Sequence, residues 1–363
     1  MGSRPTLASL AQQLGVSRQT ISNAINSPER VSPPTLERVT ELIAASGYRP
    51  NTAARQLRTR RSRNLGYRLF PSADGINGAI MDRFLHALTG SLQQHGYRVT
   101  VFAVPDDDAE IEAYGELLET SDLDGFILAD TRQDDPRTRW LLDRGVPFVT
   151  FGRPWTADNE SCPHPWVDVD GQAGTAEATS YLLGKGHRRI GFLGWPEGRD
   201  LPRERPAGYE LGRDRREGWK KALSPHLDPG ELDSLFVGVP DSIREGAAGA
   251  LALLANGATA IVCASDSLAL GASEQLRAAF PDKVPAVIGF DDTPVAAALG
   301  MSSISQPVED AAGRVVDIMR SILDGTRILD STKDQTGRAQ HILLPSRLVL
   351  RDGGGPLATP SAP

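Results

Sequence analysis

Between residues 64 and 351, short apolar strand-like runs alternate with helix-length segments, and this alternation restricts the fold more than any other feature of the chain. The runs NLGYRLF (64–70), RVTVFAV (98–104), DGFILAD (124–130), PFVTF (147–151), RIGFLG (189–194), SLFVGV (234–239), AIVCAS (260–265) and AVIGF (286–290) are the strand candidates. Between them lie patterns such as MDRFLHALTGSLQQHG (81–96), QAGTAEATSYLLGKG (172–186) and EGAAGALALLANG (245–257). Strands that alternate with helices form parallel sheets covered on both faces. Such sheets take ligands in the crevice at the carboxyl ends of their strands. There GFDDT leaves Asp291 and Asp292, and CASDS leaves Ser265 and Asp266. Carboxylates in that place either cap the next helix or contact a ligand, and the residues alone leave both readings open. This stretch is long enough for two domains of ordinary size.

The N-terminal segment has a different pattern. Leu7, Leu10, Ala11 and Leu14 form the i, i+3, i+4, i+7 stripe of a helix, and Gly15-Val16-Ser17 makes a short turn. In GVSRQTISNAIN (15–26), Ile21, Ala24 and Ile25 share one helical face, while Gln19, Ser22, Asn23 and Asn26 occupy the other. A third helix starts at Ser32 or Thr35, turns Leu36, Val39, Leu42 and Ile43 inward and stops at Gly47. Three short helices around one apolar centre, two of them joined by a tight turn, read as a helix-turn-helix. Residues 1–65 hold ten Arg, no Lys and three acids (Glu29, Glu37, Glu41), a net of +7 in a chain of net −7, so the remainder carries −14. A basic headpiece on an acidic body confines contact with a polyanion to the headpiece. In YRPNTAARQLRTRRSRN (48–64), Asn51 can cap a helix over residues 52–58 that is too short to be stable alone. Its one large apolar residue, Leu57, either packs on the following domain or wedges between base steps of a minor groove.

With these residues in view, the chain resembles the lac-repressor (LacI) family of bacterial transcription regulators. PTLASLAQQLGVSRQTISNAIN, VSPPTLERVTELIAASGYRPNTAARQLRT, GHRRIGFL, IVCASDSLALG and VIGFDDTPVA look like its successive signatures in order, covering nearly all the chain to about Arg351. The resemblance implies an α/β fold class: a helix-turn-helix headpiece and hinge helix joined to a periplasmic-binding-protein-like core of two α/β lobes. The expected divisions are a headpiece at 1–50, a hinge and linker at 51–63, one lobe at 64–164 plus 303–338, the other at 165–302 plus 339–351, and a disordered Gly/Pro/Ser-rich tail at 352–363. It implies that the second helix enters the major groove with Arg18, Gln19 and Asn23 reading bases. The wider DNA-contacting set is Thr6, Ser17, Thr20, Ser22 and Asn26 in the headpiece and Asn51, Ala54, Leu57 and Arg58 in the hinge, with Leu57 at the family's wedge position. Many members carry Arg where this chain has Asn23, and Asn suits adenine.

The same resemblance puts a small effector, a sugar in most members, between the lobes, against Asp74, Arg153, Arg215, Ser265 and Asp291. The chain departs from some sugar-binding members at Gly152, where they have an acid, and at Asp241, where they stack an aromatic ring. Trp155, Trp166, Trp195 and Trp219 are each candidates either for the core or for a stacking face. Expected partners are near-palindromic operator DNA, the effector and a second copy of the chain in a homodimer, with no C-terminal leucine heptad for a tetramer. The expected role is repression of carbohydrate-utilisation genes. Co-repression by a purine or other metabolite and a sugar receptor that binds no DNA are the alternatives.

Enzymatic signatures are missing from the sequence. No two of the six His lie within five residues of each other, and Cys162 and Cys263 have no CxxC spacing. GKGHRRIG precedes a strand where a dinucleotide fingerprint follows one. The reading is therefore a regulator that is not an enzyme and uses no cofactor or metal. With no signal peptide and no apolar run near the ~18 residues of a membrane span, the expected location is the cytoplasm.

Overall fold

The computed structural model describes residues 5–48, 61–69, 78–120, 123–196, 209–324 and 339–351. The chain divides into two units, a headpiece ending at Ser62 and a core beginning at Arg63.

The headpiece contains α1 (Leu7–Leu14), α2 (Arg18–Asn26) and α3 (Pro33–Ser46). Each boundary has a local cause. Thr6 caps α1 in a reciprocal pair with Ser9, and Gly15 ends it at φ 65°, a left-handed conformation that glycine adopts without penalty. The Ser17 side chain accepts the Thr20 N–H at the start of α2, and prolines occupy the first turn of α3. Leu10, Ala11, Ile21 and Val39 are buried at the centre, with Leu7, Leu14, Val16, Ala24, Ile25, Leu42, Ile43 and Tyr48 around them.

The core holds two six-stranded sheets. The first has the order β11-β5-β4-β3-β1-β2, formed by β1 (Asn64–Arg68), β2 (Arg98–Phe102), β3 (Gly125–Leu128), β4 (Phe148–Phe151), β5 (Trp166–Asp170) and β11 (His341–Pro345), all parallel. The second has the order β12-β10-β9-β8-β6-β7, formed by β6 (Ile190–Gly194), β7 (Phe236–Gly238), β8 (Ala260–Cys263), β9 (Ala286–Asp291), β10 (Ser302–Ser305) and β12 (Arg347–Val349). Its strands are parallel except β12, which runs antiparallel to β10. Helices α4 (Ala79–Gln94), α5 (Asp107–Thr120), α6 (Pro136–Asp143) and α13 (Val308–Asp324) accompany the first sheet. With the second go α7 (Gly171–Gly184), α8 (Tyr209–Leu223), α9 (Pro229–Ser234), α10 (Ile243–Ala255), α11 (Asp266–Ala279) and α12 (Pro294–Ala298). In α13 the buried residues Val308, Ala311, Ala312, Val315, Val316, Met319 and Leu323 follow the helical period and close one face of the first sheet against Phe84, Leu88 and Leu92 of α4.

The sheets correct the lobe boundaries expected from sequence. Trp166–Asp170 pairs with β4 and His341–Pro345 pairs with β5, so both strands belong to the first lobe, whereas Ser302–Ser305 pairs with β9 in the second. The chain therefore crosses after Asp170, between Ser305 and Val308, and at Ser346 between β11 and β12, rather than at 164/165, 302/303 and 338/339. The reason is that a strand joins the sheet whose edge offers it hydrogen bonds, and its own residues do not name that edge.

The first lobe also buries a charge network. Arg137, 1% exposed, donates to Asp135 at 2.7 Å and to Glu110 at 3.0 Å. Arg68 on β1 reaches Glu110 at 2.8 Å and Asp107 at 3.2 Å, and Arg132 pairs with Asp107. Paired in this way, charges that would be costly to bury singly tie α5 and α6 to the strand ends.

Candidate effector site and nucleic-acid interface

At the carboxyl end of the second sheet, one buried guanidinium organises the polar groups. Arg215, on α8 and 2% exposed, lies with its guanidinium carbon 3.6 Å from the centroid of the Phe290 ring. It donates to the Ala264 carbonyl and holds Nη2 3.7 Å from Asp291 Oδ1. Asp291 Oδ1 accepts from Gln306 Nε2 at 2.7 Å. Asp291 ends β9 at φ 114°, and Asp292 follows at φ 49°. Two consecutive non-glycine residues in left-handed backbone cost free energy and persist only where surrounding contacts impose them. Here Asp292 is held by Arg351 at 2.6 Å and by a bond from its N–H to Ser303 Oγ at 3.0 Å. Burial pushes the Asp291 carboxyl up to about 8, with Asp266 and Asp241 raising it further and Arg215 opposing.

Ser265 caps α11 by accepting the Leu268 N–H, and its hydroxyl donates to Asp241 Oδ1 at 2.5 Å. Its donor is therefore committed to Asp241. The neighbouring Asp266 is a structural tie that accepts from Thr293 and Ser303.

A second cluster spans the lobes at the first crossing. Arg153, just beyond β4, bonds through Nε to Asp168 Oδ2 at 2.5 Å and reaches Asp214 of α8 at 3.5 Å. Asp214 also accepts the Gln172 N–H at 3.0 Å. Burial pushes the Asp214 carboxyl up to about 6, with Asp168 and Asp170 adding to the rise and Arg153 opposing it. A separate cavity of about 470 Å³ lies between the residues that follow β3 and those that follow β4, lined by Asp135, Thr138, Arg139, Cys162 and His164 among others. Arg215, Ser265 and Asp291 do not line it.

In the headpiece, α2 presents Arg18 and Gln19 exposed and Ser22 and Asn23 half-buried. Gln19 Nε2 donates to Asn23 Oδ1 at 2.8 Å, which aligns the two amides as neighbours on one face. Ser17 and Thr20 hydroxyls meet at 2.8 Å at the N-terminus of α2.

Residues 81–316 match the family model of periplasmic binding proteins and the sugar-binding domain of the LacI family, and residues 6–51 match that of bacterial regulatory proteins of the lacI family. The chain belongs to the LacI family. This LacI-family regulator is 33% identical to the HTH-type transcriptional regulator CelR of Thermobifida fusca, over 97% of its own length and 98% of that protein. It is 30% identical to the HTH-type transcriptional regulator RafR of Escherichia coli, with 88% and 92% covered. The solved transcriptional regulator CelR–cellobiose complex matches with a TM-score of 0.64 at 27% identity, over 96% of this chain and 100% of that one. The lac repressor dimer bound to operator and the anti-inducer ONPF matches with a TM-score of 0.73 at 23% identity, over 97% and 99%, a likeness of fold.

Of the positions that the LacI resemblance implies for the effector, the structure brings Arg215 and Asp291 together and sets Ser265 behind Asp241. It places Arg153 with Asp168 and Asp214, and Asp74 lies outside the described residues. Of the DNA-contacting set, Thr6 and Ser17 serve as helix caps, and Asn51, Ala54, Leu57, Arg58 and the side chain of Asn26 lie outside the described residues. Asp214, Asp168 and Gln306 are site neighbours that the sequence did not single out. Only Asp214, adjacent to Arg215 in RDRREGW, carried a positional hint. Among the described residues no His/Cys/Asp/Glu group could hold a metal ion, and no helix is long and apolar enough to cross a membrane.

The raised carboxyls make stability depend on pH. A carboxyl whose folded pKa exceeds its unfolded value contributes stability that is complete below about pH 4 and is lost as pH rises through the folded pKa. The ligand-free core should therefore melt lower as pH rises from 6 to 8, by about 5 °C if Asp291 dominates. Asp291→Asn should flatten that fall, and Asp214→Asn should flatten the part between 4 and 6. Calorimetry across this range checks both, and an unchanged slope in Asp291→Asn counts against the assignment.

Proposed function

We propose that this LacI-family regulator is a homodimeric repressor whose grip on a near-palindromic operator is relaxed by a neutral sugar bound between the core lobes. The observation that carries the ligand class is the acceptor set at the cleft end of the second sheet. The Arg215 guanidinium faces Asp291, whose carboxyl is pushed up to about 8, with Asp241 beside it. Arg351 is taken up by Asp292, so the site offers carboxyl oxygens without a surplus of positive charge. Such a site favours hydroxyl donors and disfavours phosphorylated or acidic ligands. The likeness to a regulator solved with cellobiose supports the same class.

For DNA, the amides of Gln19 and Asn23 suit adenine edges in the major groove, and twofold symmetry of the dimer suits two half-sites. Asn51, Ala54, Leu57 and Arg58 are proposed as the hinge that folds in the central minor groove. Sugar binding shifts the lobes, and so the operator and the sugar weaken each other by one coupling factor.

Two measurements test this reading. Melting of the full chain against neutral di- and oligosaccharides, sugar phosphates and nucleobases should give a shift with a neutral sugar alone, equivalent to about 2.7 kcal/mol at ~100 times its dissociation constant. That sugar should then release an operator fragment, and a shift with a purine instead would replace the reading by co-repression. Separately, Gln19→Ala should change base preference in each half-site by about tenfold, while Arg58→Ala should weaken all sequences alike and lower the salt dependence. A Gln19 variant with unchanged preference removes the assignment of the reading helix.

A further inference from the structure

The structure sorts the tryptophans that the sequence left open. Trp166 is buried and stacked on His341 at 5.0 Å, and Trp219 is buried with its N–H bonded to the Ile190 carbonyl at 2.9 Å. Trp155 donates to Thr131 Oγ1 at 3.1 Å. Trp195 differs. It follows β6 directly, at the carboxyl end of the second sheet, and its ring is half-buried with the Arg215 guanidinium carbon 5.4 Å from the ring centroid. Its indole nitrogen is buried and meets no hydrogen-bond acceptor among the described residues.

Two glycines admit this ring. A Cβ at Gly212 on α8 would come within 2.6 Å of Trp195 Cε3, and one at Gly238 within 3.1 Å of the Trp195 carbonyl oxygen. A larger residue at Gly212 would displace the indole from the position where it faces Arg215, and one at Gly238 would crowd the backbone that carries it. A ring fixed by close backbone approach, with a buried donor left to satisfy, has the chemistry of a pyranose contact. The apolar ring takes the C–H face of the sugar, and the N–H takes a hydroxyl or ring oxygen.

We infer that Trp195 is a specificity-determining residue of the effector site, donating its indole N–H to an oxygen of a neutral sugar held beside Arg215. This rests on the sugar reading of the cleft proposed above. Its position is one that neither Asp291 nor Ser265 can fill, because Trp195 supplies a donor and an apolar surface where they supply acceptors.

The test uses the full chain and a panel of cellobiose, maltose and melibiose, titrated by calorimetry and by tryptophan fluorescence. For the sugar that binds the wild type, Trp195→Phe should weaken binding about tenfold, as expected for losing one hydrogen bond while keeping a ring. Trp195→Ala should weaken it about a hundredfold. Trp195→Phe should also keep or raise the sugar-free melting temperature, since it deletes an unsatisfied buried donor, whereas a purely structural tryptophan would lower it. Sugar binding by Trp195→Phe with wild-type affinity overturns this inference and leaves the sugar reading standing. If no sugar of the panel binds the wild type, the sugar reading falls and this inference with it.

Discussion

Replacing Ile21 with alanine should abolish operator binding while leaving effector binding intact. Ile21 is 0% exposed and is one of four residues buried at the centre of the headpiece, with Leu10, Ala11 and Val39. Truncating a buried large aliphatic costs about 2–5 kcal/mol through lost burial and the cavity left behind. A domain of this size has little stability to spare, because small domains bury a smaller fraction of their surface. The loss therefore unfolds the headpiece rather than loosening it, and α2 no longer exists to present Gln19 and Asn23. Circular dichroism of the full chain should show less helix at 25 °C with the main melting transition unmoved, since the core is a separate unit. Fluorescence anisotropy on an operator fragment should show no specific complex. Specific binding at wild-type affinity would mean that Ile21 is not in the headpiece centre.

The second large effect is at Arg215. Arg215→Ala removes the cation that opposes the rise of the Asp291 carboxyl and leaves that carboxyl buried beside Asp241 and Asp266. Removing one partner of a buried pair costs about 3–5 kcal/mol. The core should lose roughly that much stability at pH 8, and sugar binding should fall by at least ~100-fold as the site loses its donor. Asp291→Asn keeps the shape and removes the charge, so it should hold or raise stability at pH 8 and still lose sugar binding. The double variant separates the two roles: its stability should recover most of the Arg215→Ala loss, while its binding should not recover. If the double variant is as unstable as Arg215→Ala alone, packing of the guanidinium on Phe290 rather than the ion pair carries the stability.

The sequence by itself determined what depends on local order. The amphipathic faces of α1, α2 and α3, the Gly47 stop of α3, the strand-and-helix alternation and the Arg-rich N-terminus are all properties of residues a few positions apart, where periodicity and side-chain chemistry act directly. Arg215 was reached through family resemblance rather than spacing, since nothing local distinguishes an Arg in RDRREGW from a solvated one, and Asp291, which its strand-end position raised, was assigned to the ligand only by that resemblance.

Tertiary structure alone decided what depends on partners distant in the chain. Ser302–Ser305 (SSIS) has Ile304 as its single apolar residue, too little for hydropathy to flag, and it exists because β9 and β12 flank it. Trp166–Asp170 and His341–Pro345 join the first sheet because of the edges they meet, which moved the first and third crossings. Arg68, Glu110 and Arg137 lie far apart in sequence and are buried as a network, because each neutralises another from a different element. The committed hydroxyl of Ser265 and the indole N–H of Trp195 likewise follow from neighbours that the fold supplies.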